Sequence, residues 1–110
     1  MIYKIVPTNN FSRELKKLCK KHPALKEQIK YLSTELSVNP ERGVSLGHGC
    51  YKIRISSPDK HGGKSKGFRI ITYVVLLKGI VFLLTVYDKS EISTIKDSEI
   101  RRILKDFEQE

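Results

Sequence analysis

The chain has 110 residues, and 21 lysines and arginines against 12 aspartates and glutamates leave a formal charge of +9. That length suits a single domain over residues 1–110 whose core needs no disulfide or metal staple, and it leaves little room for a second domain. The charge makes nucleic acid, an acidic protein or an anionic membrane surface the natural partners, without choosing among them.

The chain opens Met1-Ile2-Tyr3-Lys4-Ile5-Val6, too short and too charged for the apolar region of a signal peptide. A cytoplasmic protein is therefore expected, with Cys19 and Cys50 as reduced, mostly buried thiols. Ile2 to Val6 predicts a strand ended by Pro7. Thr8, Asn9 and Asn10 are helix-capping types, and Phe11, Leu15, Leu18 and Cys19 recur at helical spacing up to about Lys21. Pro23 can open a second helix, with Leu25, Ile29, Leu32 and Leu36 on one face and Lys26, Glu27 and Lys30 outside. The two helices form a hairpin joined at His22 and closed by Asn39-Pro40-Glu41-Arg42-Gly43.

Gly47-His48-Gly49 leads into three strands, Cys50 to Ser56, Lys66 to Leu77 and Gly79 to Tyr87. The first two are joined by a basic loop over 57–65 expected to be flexible. Ile70 to Tyr87 holds a single charge, Lys78. Its β-branched and aromatic content, the Lys78-Gly79 break and a penalty of roughly 3 kcal/mol for lysine at mid-bilayer favour a buried hairpin over a membrane span. A last helix is expected from near Asp97, with Ile100, Ile103, Leu104 and Phe107 on one side. The order β-α-α-β-β-β, with this C-terminal helix, implies an α+β fold: an N-terminal strand, a two-helix hairpin and a three-stranded antiparallel sheet covered by helices on one face.

The positive charge is concentrated. From Lys52 to Arg69 the cations are Lys52, Arg54, Lys60, Lys64, Lys66 and Arg69 against the single acid Asp59, whereas acids outnumber bases after Tyr87. Alternation along Cys50 to Ile55 sends Lys52 and Arg54 to one sheet face and Tyr51, Ile53 and Ile55 to the other. A cationic sheet face suits a polyanion. His48 and His61 could donate protons or touch such a ligand, and His22 reads as a helix-junction residue. With no cysteine or acid at ligand spacing around the histidines, no metal or other cofactor is expected.

Six stretches carry a resemblance: Phe11-Ser12-Arg13-Glu14-Leu15-Lys16-Lys17-Leu18, Lys20-Lys21-His22-Pro23-Ala24-Leu25-Lys26, Asn39-Pro40 with Gly43, Cys50-Tyr51-Lys52-Ile53-Arg54-Ile55, Gly67-Phe68-Arg69-Ile70-Ile71-Thr72-Tyr73 and Tyr87-Asp88-Lys89-Ser90-Glu91. In this order and spacing the chain resembles the RelE/ParE superfamily of bacterial type II toxins, and within it the RelE and HigB-like branch. The resemblance implies the toxin of a toxin-antitoxin pair, a metal-independent endoribonuclease that cleaves messenger RNA on the ribosome and is silenced by a cognate antitoxin. By position, Lys52 and Arg54 match a basic pair, Arg69 the arginine of a Gly-aromatic-Arg motif, and Lys89 the lysine at the end of the last strand. Ser90 stands where the RelE pattern has arginine, and no tyrosine follows Tyr87.

Cleavage by the RNA's own 2′-hydroxyl needs that hydroxyl deprotonated, charge stabilised on a phosphorane-like transition state, and the 5′-oxygen protonated. Clustered cations can do this, because mutual repulsion and desolvation lower a lysine pKa while arginine stays charged and offers a planar fork to phosphate. Lys52, Arg54, Arg69 and Lys89 are the candidate catalytic residues. Lys60, His61, Lys64, Lys66 and Tyr87 are candidate RNA contacts, the lysines on backbone and Tyr87 on a base or ribose. Other readings stay open at this point. Lys52 and Arg54 could be a solvated strand face, and Arg69 an ion pair with Asp88 or Glu91. The whole chain could be a ParE-like gyrase inhibitor, a non-catalytic RNA- or ribosome-binding module, or a degenerate toxin whose surviving role is antitoxin binding and operator repression.

Overall fold

Strand alternation and helical spacing sort the chain into β1 (Lys4–Pro7), α1 (Asn9–Lys21), α2 (Leu25–Val38), β2 (Val44–Gly47), β3 (Cys50–Ile55), β4 (Phe68–Val75), β5 (Ile80–Asp88) and α3 (Asp97–Glu108). The structure is a computed structural model that describes residues 2–56, 67–92 and 94–109. The strands form one five-stranded sheet in the order β1-β5-β4-β3-β2. β1 runs parallel to β5, and the other neighbours are antiparallel.

The helical hairpin covers one sheet face. Phe11 of α1 and Leu25, Ile29, Leu32 and Leu36 of α2 bury against Ile53, Ile55, Phe68, Ile70, Val81 and Val86, each such side chain contributing about 1.5–3 kcal/mol. The second face carries Cys50, Ile71, Leu84 and Tyr87, against which α3 lays Ile100, with Ile103, Leu104 and Phe107 beside it. Phe82 and Phe107 meet with ring centroids 4.6 Å apart. Helices therefore lie on both faces, and Arg54 toward the end of β3 stays exposed on the second.

α1 also closes a sheet edge. β1 pairs with β5 only over Ile80 to Leu83, so the next residues of β5 need other partners for their backbone groups. Thr8 caps α1 by accepting the Phe11 N–H and donates its hydroxyl to the Leu83 carbonyl at 2.9 Å. Asn10 Nδ2 donates to the Leu84 carbonyl at 2.9 Å. Glu14 Oε1 accepts from the Thr85 hydroxyl at 2.7 Å and the Val86 N–H at 3.2 Å.

The structure departs from the sequence expectation in four places, the first being that helices cover both sheet faces rather than one. The sheet has five strands, because the N-terminal strand joins it beside β5 and because β2 pairs with β3 through a bulged register. α2 starts at Leu25, with Pro23 and Ala24 in the turn before it. β4 ends at Val75, and Leu76–Lys78 form a single 3-10 turn closed by Gly79 in the left-handed region at φ 65°, a conformation glycine adopts without strain. Leu77, placed in a strand by its hydrophobicity, is 99% exposed at that turn. The basic loop over 57–65 lies outside the described residues.

Burial pushes the Cys50 thiol up to about 11. A raised pKa means that the folded chain holds the proton more tightly, so this contribution to stability is intact below the ordinary thiol range near 9 and is lost as pH rises through 11. At pH 8.5 iodoacetamide should modify half-buried Cys19 at least tenfold faster than Cys50, whose modification should follow global unfolding. Equal rates, read by mass spectrometry, would contradict the burial.

Candidate nucleic-acid interface

Register places three polar side chains in one line across the sheet. Arg54 of β3 is directly opposite Arg69 of β4, and Arg69 is directly opposite Tyr87 of β5. Alternation puts Lys52 on the same face one pair further along β3, where it lies opposite Ile71 and Val44 and about 7 Å from Arg54 along the strand.

Two local features create that line. Pairing steps from Ile71 with Thr85 to Thr72 with Leu83, so Leu84 is an extra residue in β5. Such a bulge shifts the alternation of everything after it. Leu84 and Tyr87 consequently share the second face, and Asp88 turns to the helical side, where its carboxylate lies 3.9 Å from His22 Nε2. The other feature is Gly67, where a Cβ would collide with the Ile55 carbonyl oxygen. The Gly67 carbonyl also accepts the Lys89 N–H at 3.0 Å, so this residue draws together the ends of β3, β4 and β5.

Arg69 is 3% exposed. Its Nη1 donates to the Phe68 carbonyl at 3.1 Å, and among the described residues no carboxylate pairs with it. Burial lowers its pKa, the Arg54 charge lowers it further, and Tyr87 opposes the shift. Burial raises the Tyr87 pKa, against the pull of Arg69. Like charges directly opposite each other in a sheet are destabilising, and so is a buried charge without its counterion. Among the described residues the complement this pair calls for, an anion, is not supplied.

The expected cluster is thus brought together in part. Lys52, Arg54, Arg69 and Tyr87 share a face. Lys89 lies in the turn just beyond β5, half-buried, rather than on a strand. Lys60, His61, Lys64 and Lys66 fall outside the described residues. The ion pair of Arg69 with Asp88 or Glu91 does not form, since Asp88 is on the helical side. His48 takes a positive φ of 56° between β2 and β3 and sits in a groove with Tyr73 and Arg101. His22 packs edge-on against Phe68. Tyr51 and Phe68 are packed against the hairpin core, and the Tyr51 hydroxyl donates to Glu41 at 2.7 Å.

Among the described residues no three His, Cys, Asp or Glu side chains gather as a metal site would require, and no helix is long and apolar enough to cross a membrane. Glu14 was not singled out by sequence reasoning, because its partners lie 71 and 72 positions away on β5. Its only local hint is the Asn10 to Glu14 spacing of one helical turn, which the structure uses for a 3.0 Å hydrogen bond.

No protein-family model matches the chain. Among solved structures it is similar to the E. coli toxin RelE, in a form with two arginines replaced by alanine. The free state superposes with a TM-score of 0.61 at 21% identity, covering 96% of this chain and 97% of that one. The same toxin variant in complex with antitoxin RelBc peptide gives a TM-score of 0.57 at 24% identity and 93% coverage of each chain. The chain has a RelE-like fold.

If Arg69 is held in an unneutralised site, Arg69→Met should keep the fold and raise stability by about 1 kcal/mol, seen as a melting temperature several degrees higher. Added inorganic phosphate should stabilise the parent more than this variant. A loss of several kcal/mol in Arg69→Met would instead reveal a structural partner for the guanidinium.

Proposed function

We propose that this chain is the toxin of a toxin-antitoxin pair and acts as a metal-independent endoribonuclease on messenger RNA, associated with the ribosome and confined to the cytoplasm. The observation that carries this is the row Arg54, Arg69 and Tyr87, in which two arginines stand directly opposite each other on adjacent strands and among the described residues no carboxylate pairs with Arg69. A phosphodiester supplies the charge the row lacks.

With RNA in place, the 2′-oxygen gives up its proton and attacks the adjacent phosphorus. The 5′-oxygen then leaves with a proton, and a 2′,3′-cyclic phosphate remains. Arg69 meets the charge that accumulates on the phosphoryl oxygens at the transition state, its burial strengthening each hydrogen bond it makes. Lys52 and Arg54 hold the phosphate, Arg54 through a planar fork. Lys89 shares in proton transfer, and Tyr87 contacts the base or ribose. Lys60, Lys64 and Lys66 hold the RNA backbone, and His61 touches the RNA.

The partner is a protein antitoxin with an acidic or amphipathic segment. An apolar groove of about 450 Å³ between α1, α2 and β1 is walled by Ile5, Phe11, Leu15 and Ile29 and flanked by Lys16 and Lys26, which suits an apolar helix face with acidic edges.

In a translation extract the purified chain should truncate messages, and Arg69→Ala should slow this by about 100-fold or more. Intact messages with salt-dependent RNA binding would identify a non-catalytic binding module. Intact messages with inhibited gyrase would identify a ParE-like activity.

A further inference from the structure

A second cavity adjoins the cationic row. Between α1, the edge of β5, the segment after it and the start of α3 lies a cleft of about 360 Å³, within the range of about 300–1,000 Å³ usual for small-ligand sites. Tyr87 belongs to both places: it ends the Arg54–Arg69 row and lines this cleft. Ile92 and Ile95 give the cleft apolar walls, and Ile92 is 43% exposed. Such walls beside a tyrosine suit the flat face of a base.

Glu14 also lines the cleft. Three donors converge on one of its oxygens: Asn10 Nδ2 at 3.0 Å, the Thr85 hydroxyl at 2.7 Å and the Val86 N–H at 3.2 Å all reach Oε1. Among the described residues Oε2 has no hydrogen-bond partner. Closing the β5 edge needs a single acceptor oxygen, which an amide would supply equally well, so the edge does not account for the second one. Burial raises the Glu14 pKa, while the hydrogen bonds from Thr85 and Val86 and the charges of Arg13 and Arg102 oppose the rise.

We propose that this cleft receives one nucleobase of the bound RNA, and that Glu14 Oε2 selects a base bearing an exocyclic amino group over uracil. The inference rests on the RNA assignment above and specifies its base selectivity. An amino group donates N–H to a carboxylate, as cytosine N4 does. Uracil flanks its one N–H with two carbonyl oxygens that repel the carboxylate, leaving a desolvated polar group badly matched. Contact with the apolar walls at Ile92 and Ile95 does not distinguish the two pyrimidines, which have the same size. The carboxylate therefore carries the selection. Phosphate held by Arg54 and Arg69 sets the register of the strand, and Tyr87 is the hinge between backbone and base.

The test compares 2′-O-methyl hexamers of cytidine and of uridine, which cannot be cleaved, by fluorescence anisotropy at fixed salt. The native chain should bind the cytidine hexamer about tenfold more tightly. Glu14→Gln, whose amide can both donate and accept, should bring the ratio close to one. Equal affinities in the native chain, or an unchanged ratio in Glu14→Gln, would overturn the base site while leaving the RNA assignment standing. Failure to bind either hexamer would overturn both. A second measurement needs no variant: cytidine monophosphate titrated into the native chain should shift the Thr85 and Val86 amide resonances, and uridine monophosphate should not. Identical responses to the two nucleotides would overturn the proposal.

Discussion

A buried arginine whose cross-strand neighbour is another arginine is the constraint on which this structure turns. Arg69 is 3% exposed and sits opposite Arg54, an arrangement that a sheet selected for stability alone would replace with an apolar side chain or an ion pair. The fold tolerates it because the hydrophobic contacts on both sides of β4 are extensive. Phe68, Ile70 and Val74 bury on the hairpin face, and Ile71 buries on the other. Stability is supplied by the alternate residues of the very strand that carries the unfavourable charge.

The remainder of the architecture serves to keep that pair in register and open. The hairpin α1–α2 occupies one face and leaves the cations to the other. α3 covers the end of the second face near Tyr73 and Phe82 and stops short of Arg54. The extra residue at Leu84 turns Tyr87 toward Arg69 and Asp88 away from it. Without that bulge the alternation of β5 would bring Asp88 to the cationic face, where it would neutralise Arg69. Charge on the face and the absence of a counterion among the described residues thus have a common structural origin. α1 stabilises the bulged edge through Thr8, Asn10 and Glu14, which links the helix to the site without placing any of its residues in the row.

Much of this was legible in the sequence, for physical reasons. Cys50 to Ile55 alternates strictly, so the faces of β3 could be assigned residue by residue. Leu25, Ile29, Leu32 and Leu36 recur at helical spacing because one side of α2 alone is buried. β2 escaped notice because Val44–Gly47 is an edge strand mostly exposed on both faces and so bears no periodic pattern. The bulge was hidden for the opposite reason: β5 is apolar on both faces, and a run without alternation shows no break in phase. With the phase of β5 unknown, the orientation of Tyr87 and Asp88 was undetermined, and an ion pair of Asp88 with Arg69 stayed open as an alternative to a catalytic arginine. Glu14 reads as an exposed helix residue because its partners are brought to it only by tertiary packing.

The central claim is that Arg54 and Arg69 form the receptor for one phosphodiester. The most direct measurement follows the arginine Nε–Hε resonances by NMR during titration with a non-cleavable 2′-O-methyl RNA. The account predicts that the Arg54 and Arg69 signals shift together at the same RNA concentration and that the Arg69 proton becomes protected from solvent exchange. An unmoved Arg69 signal while the lysine resonances respond would mean that RNA binds elsewhere on a basic surface, and the row would then have no role in recognition.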